Sequence, residues 1–189
     1  MEILLSAPVV RKNHPSFALR DPDGTQPARG ELQALLDKGF GRLYGSQAEA
    51  ERALGGPCYP APLGDVVKDG PGGKRKHRLI QDLKRNHVNE CVGLPERQVL
   101  PRAIDHAADV AAASAQGAVE TFTCDFLHAF MSVAASPAEG RYNCCHTDEP
   151  MRRGRPPLDQ AEPRMGLFIV WLVLGFGGRA YPLLYARVA

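Results

Sequence analysis

The stretch GLFIVWLVLGFGG, residues 166–178, constrains the fold of this chain more than any other. Its continuous apolar run, residues 167–176, is ten residues long and contains one glycine. A membrane-spanning helix needs about 20 such residues, so the run is half the required length. Rich in β-branched and aromatic side chains, it predicts a buried strand instead. A chain of 189 residues suffices for one domain, or for a substantial part of a larger one. With 44% hydrophobic and 23% charged residues, wholesale disorder is excluded.

The formal charge of +2 and the pI near 8.3 are too mild to mark a nucleic-acid binder by themselves. The distribution of charge is more informative than its sum. Five cysteines, at 58, 91, 124, 144 and 145, form an odd set without paired-ligand spacing. They fit neither a disulfide framework nor a zinc finger, although CCH at 144–146 invites the comparison. The opening MEILLSAPVV lacks a basic leader, so the expectation is an intracellular protein without a signal peptide. The closing YPLLYARVA has no cap or glycine stop and reads as an element that is cut.

Residues 1–60 read as an irregular lead followed by two short helices. GELQALLDKGF sets Leu32, Leu35 and Leu36 on one face and ends at Gly39. SQAEAERALGG opens with Ser46 and Glu49 at capping-box spacing and closes with two glycines. From Asp65, DVVKDGPGGKRKHRLIQDL predicts a hairpin with a Gly/Pro-rich tip. A helix of roughly four turns follows Pro101, with Ile104, Ala107, Ala108 and Ala111 on one side. A strand is expected over residues 120–133, then a helical turn and a strand through SPAEGRYNCC. A solvated loop over residues 148–164 comes next, then the apolar strand and a final glycine turn.

Within the strand ETFTCDFLHAFMSV a single carboxylate, Asp125, interrupts an apolar run. Alternation puts Phe122, Cys124 and Phe126 on one face and Asp125 with Thr121 and Thr123 on the other. Asp125 can therefore stand on a polar face as a hard-oxygen ligand for magnesium. It can equally be the N-cap of a helical turn through DFLHAF. The hairpin places Lys74, Arg75, Lys76 and Arg78 around a turn holding four glycine or proline residues. Lys76 and Arg78 share a strand face about 7 Å apart, a spacing that suits a phosphate chain; a solvated turn would use the same residues. In LGFGGRAYP the glycines at 175, 177 and 178 permit close backbone approach, and Arg179 can meet a phosphate.

The order of these elements resembles that of the reverse transcriptases of retroelements. Residues 78–82 match the Arg-to-Asp stretch of the fingers hairpin, followed by an Asn such as Asn86 or Asn89 and by an LP dipeptide before the palm helix. Asp125, Ala129 and Phe130 match the palm motif D-x-x-x-A-F/Y. Gly175, Phe176, Gly177 and Pro182 match P/G-F-G-x-x-x-x-P. The similarity covers roughly residues 61–189.

The resemblance implies an α+β fold, an incomplete right-hand polymerase behind a short helical N-terminal region at residues 1–60. Fingers would span 61–100 and about 136–166, and palm about 101–135 and 167–189. It implies phosphoryl transfer from deoxynucleoside triphosphates to a primer on an RNA or DNA template, with two magnesium ions in the intact enzyme. Asp125 would be a catalytic metal ligand. Arg78, with Lys74 or Lys76, would hold the triphosphate, and Phe130 would exclude a 2′-hydroxyl. Phe176, Gly177 and Arg179 would line the template and nucleotide pocket.

Two departures stand out. No DD pair occurs in these residues, whereas the family's Y/F-x-D-D motif would be expected after Ala189. His128 takes a place where many relatives carry an acid. The expectation is a nucleotidyltransferase fragment that is inactive by itself and marginally stable, because Phe122 and Trp171 would lack packing partners. The competing expectations are a non-catalytic nucleic-acid-binding remnant that uses the basic hairpin 74–78, and an unrelated α+β domain. No membrane partner is expected.

Overall fold

The computed structural model describes residues 12–21, 23–70, 75–94, 96, 102–121, 128–152, 165–175 and 177–188. These form four α-helices and two antiparallel sheets, a mixed α+β arrangement. Helix α1, Pro27–Asp37, begins with proline at a position whose N–H has no intrahelical partner anyway. Ala28, Leu32, Leu35 and Leu36 form its buried stripe. Helix α2, Gln47–Leu54, is capped as its sequence predicts. The Glu49 N–H donates to Ser46 Oγ at 3.2 Å, and the helix ends at Gly55 in the left-handed region.

Between the two helices lies a strand too short to be legible in sequence, β1, Gly41–Tyr44. It pairs with β5, Met165–Trp171, which in turn pairs with β4, Cys144–Arg152; both pairings are antiparallel. The apolar run is thus the middle strand of three. Its alternation splits the core. Ile169 and Trp171 join Leu32, Leu36 and Cys145 on one face, while Phe168 and Val170 join Ala50, Cys58 and Cys144 on the other. A strand covered on both faces loses its polar alternation, which is why the run reads as continuous. Gly166 is required where β5 meets β1, since a Cβ there would lie 2.4 Å from the Tyr44 carbonyl oxygen.

The second sheet is the expected hairpin, β2 (Leu63–Asp69) with β3 (Arg75–Gln81). Leu63 and Leu79 enter the same core as α1. The lead segment is fastened to β2: the His14 N–H donates to the Leu63 carbonyl, the Leu63 N–H to Asn13 Oδ1 and the Asp65 N–H to Ser16 Oγ.

Several expectations need correction. Helix α3, Ala103–Ser114, forms, but none of its side chains is buried among the described residues, and Ile104 is 65% exposed. Ala129–Ser132 is a 3-10 turn rather than strand, with His128 in the left-handed region before it; residues 122–127 lie outside the described residues. Asp148 belongs to β4, which runs to Arg152, where Met151 and Arg152 pair with Gly166 and Met165 of β5; Arg29 of α1 donates to Glu149 Oε2 and to the Pro150 carbonyl. Trp171 is buried, packed in the α1 core instead of lacking partners. After the glycine turn, the closing segment that reads as a cut element forms helix α4, Tyr181–Val188. No helix among the described residues is long and apolar enough to cross a membrane.

Candidate functional site

Strand β3 has β2 on one side and no second strand partner among the described residues. Along it runs a cleft of about 740 Å³, bounded by the N-terminal half of α1 and by the turn at 128–131. Side chains from both faces of β3 reach it: Lys76 and Arg78 from one, Arg75 and His77 from the other. Phe130 and Met131 form the opposite wall. Phe130 stands edge-on to Tyr185 of α4 with ring centroids 5.6 Å apart. His128 is held by Lys38, whose ammonium donates to Nε2.

The hairpin's charges are arranged unevenly. Asp69 faces Arg75 in the ladder, a complementary pair, but Lys68 faces Lys76, and both are exposed. Like charges directly opposite each other on a sheet are destabilising. An anion between them relieves that repulsion.

Beneath the cleft, His77 Nδ1 donates to Asp65 Oδ2 at 2.6 Å. The Asp65 side chain is 2% exposed and that of His77 15%. The two are diagonal neighbours across the hairpin, with Asp65 opposite Leu79 and His77 opposite Val67. Sequence reading passed over them, because alternation along LGDVV placed an aspartate where only a buried partner would explain it.

At the far end of β3 the glycine turn is fixed by backbone fit. Gly177 has φ +127°, and a Cβ there would lie 1.9 Å from the Gln81 carbonyl oxygen. Asn89 brackets the turn, donating from Nδ2 to the Gly177 carbonyl and accepting the Arg179 N–H at Oδ1. Asn86, the other candidate for this position, is a structural brace that donates to the Tyr59 carbonyl. Arg179 lines a separate hollow of about 330 Å³ with Leu83, Val88, Tyr142 and Tyr181.

The structure therefore brings Lys76, Arg78 and Phe130 to one cleft and sets Gly177 against the end of the same strand. Arg179 lines a different hollow. Asp125, Lys74 and Phe176 lie outside the described residues. Among the described residues no group of three or more His, Cys, Asp or Glu side chains converges to hold a metal ion. No protein-family model matches the chain, and no curated protein matches it.

Proposed function

We propose that this chain is part of the RNA-directed DNA polymerase of a retroelement, comprising fingers and a portion of the palm. The observation that carries the proposal is the meeting of Lys76, Arg78 and Phe130, distant in sequence, along one cleft at the edge of the basic hairpin. Two cations at alternate positions of a strand suit the phosphates of a deoxynucleoside triphosphate, and an aromatic ring on the facing wall suits its sugar. Magnesium would be held by Asp125 together with carboxylates of a Y/F-x-D-D segment, which these 189 residues do not contain. When bound, the ions would activate the primer hydroxyl and stabilise the leaving pyrophosphate. A single carboxylate cannot hold two ions roughly 4 Å apart, so the 189-residue chain is expected to bind nucleotide without extending a primer.

The test is magnesium-dependent binding of a deoxynucleoside triphosphate to the 189-residue chain. Binding lost in Asp125→Ala and in Arg78→Ala supports the polymerase reading. Indifference to both substitutions, or robust primer extension by the chain alone, contradicts the proposal as stated. The second reading is a nucleic-acid-binding remnant without catalysis, favoured by the exposed cross-strand pair of Lys68 and Lys76. It predicts salt-sensitive RNA or DNA binding that Asp125→Ala leaves untouched.

A further inference from the structure

We infer that His77, oriented by the buried carboxylate of Asp65, is an additional phosphate-recognition residue of the β3 cleft, and that its protonation tunes how tightly the cleft holds a polyphosphate. The inference rests on the triphosphate reading of this cleft and deepens it.

The argument begins with Asp65. Its side chain is almost completely enclosed, and Oδ1 has no hydrogen-bond partner among the described residues. The side chain of His77 supplies the hydrogen bond to Oδ2 at 2.6 Å. A buried carboxylate with one donor depends on that donor, because an unpaired buried charge is costly. With Nδ1–H committed to Asp65, the ring cannot turn, and the remaining nitrogen, Nε2, has no partner among the described residues. His77 lines the cleft, so a protonated ring can offer Nε2–H to an anion lying there. That donor would complement Lys76 and Arg78, which approach the strand edge from its other face.

Other charged groups line the same space: Arg75, Lys76 and Arg78 from β3, Glu31 from α1 and His128 from the 128–131 turn, while Asp65 of β2 is enclosed behind His77. Glu31 disfavours an anion, and the lysine and arginines favour one. The Nε2 of His128 is engaged by the Lys38 ammonium. Histidine 77 is thus the group whose proton a bound phosphate would feel.

The experiment measures binding of inorganic tripolyphosphate and of magnesium dATP to the 189-residue chain between about pH 5.5 and 8. Wild type, His77→Gln and Arg78→Ala are compared. The ligand's own titration is common to all three, so the difference between profiles is what is read. Wild-type affinity is expected to fall by about tenfold more than that of His77→Gln across this range, the scale of one charge-assisted hydrogen bond. A second measurement does not depend on the variant folding: the imidazole nitrogens of His77 in the wild-type chain should shift in NMR spectra when tripolyphosphate is added. Unchanged slope in His77→Gln, or unmoved imidazole signals, overturns this inference while leaving the proposed function standing if Arg78→Ala still abolishes binding. Absence of binding by the wild type at every pH overturns both.

Discussion

The side-chain amide of Asn89 donates to the carbonyl of Gly177 at 2.9 Å, and its oxygen accepts the Arg179 N–H at 2.8 Å. One side chain thereby ties the loop after β3 to the turn before α4. Gly177 completes the fit, because its left-handed φ and the closeness of the Gln81 carbonyl leave no room for a Cβ.

Asn89→Ala is expected to cost about 1–2 kcal/mol, the scale of leaving two backbone groups of the turn without their partner. Gly177→Ala should cost more, roughly 2–4 kcal/mol, since it adds backbone strain to a collision with backbone. Urea midpoints read both. Equal tolerance of the two substitutions would show that the turn does not depend on this contact.

The two helices α1 and α3 should respond in opposite ways. Leu32 is 0% exposed, so Leu32→Ala is expected to lose about 2–5 kcal/mol. Ile104→Lys, on the exposed side of α3, should change stability by no more than about 0.5 kcal/mol. A large loss at Ile104 would mean that α3 covers something.

One buried and one half-buried group set an alkaline limit. Burial pushes the Cys145 thiol from its ordinary 9.0 up to about 12. Burial, aided by the nearby charges of Glu139 and Cys144, pushes the Tyr181 phenol from 10.0 up to about 12. Below about pH 8 both groups keep their protons folded or unfolded, and no slope arises. Between pH 9 and 12 the unfolded chain releases protons that the folded chain retains, so stability falls as pH rises. Urea midpoints should decline across this window, and Tyr181→Phe should flatten the decline above pH 10. A midpoint constant from pH 9 to 12 contradicts the burial of both groups.

The facing lysines of the hairpin trade stability against binding. Lys68→Glu replaces a like-charge pair with an opposite one and should stabilise the chain by about 0.2–1 kcal/mol. The same change should weaken tripolyphosphate binding, because the anion loses one cation and meets a carboxylate. Thermal melts and titrations on one preparation test both signs together.

Much of the local structure was legible along the chain. The leucine stripe of α1, the Ser46 and Glu49 cap of α2, the hairpin around the glycine-rich tip and the apolar strand all declare themselves by spacing, because each is set by neighbours within a few residues. The register of Lys76 and Arg78 on one face was equally readable. Strand β1 was not, since four residues carry no periodicity and owe their conformation to β5, more than a hundred residues later. The end of β4 was misread as loop because its proline and charges carry no strand pattern by themselves, and pairing with β5, with Arg29 and Gln33 of α1 bonded to it, makes them strand.

The amino-acid sequence by itself determined which segments are helix or hairpin and which side of each is apolar, since those follow from short-range geometry and the removal of apolar surface from water. Tertiary structure alone decided that Phe130 faces Lys76 and Arg78, that Asp65 is buried against His77, and that Asn89 rather than Asn86 holds the glycine turn. Each of those relationships joins groups from separate elements. Their energies depend on burial and on distances of a few ångströms, which residue order does not encode until the core has brought the elements together.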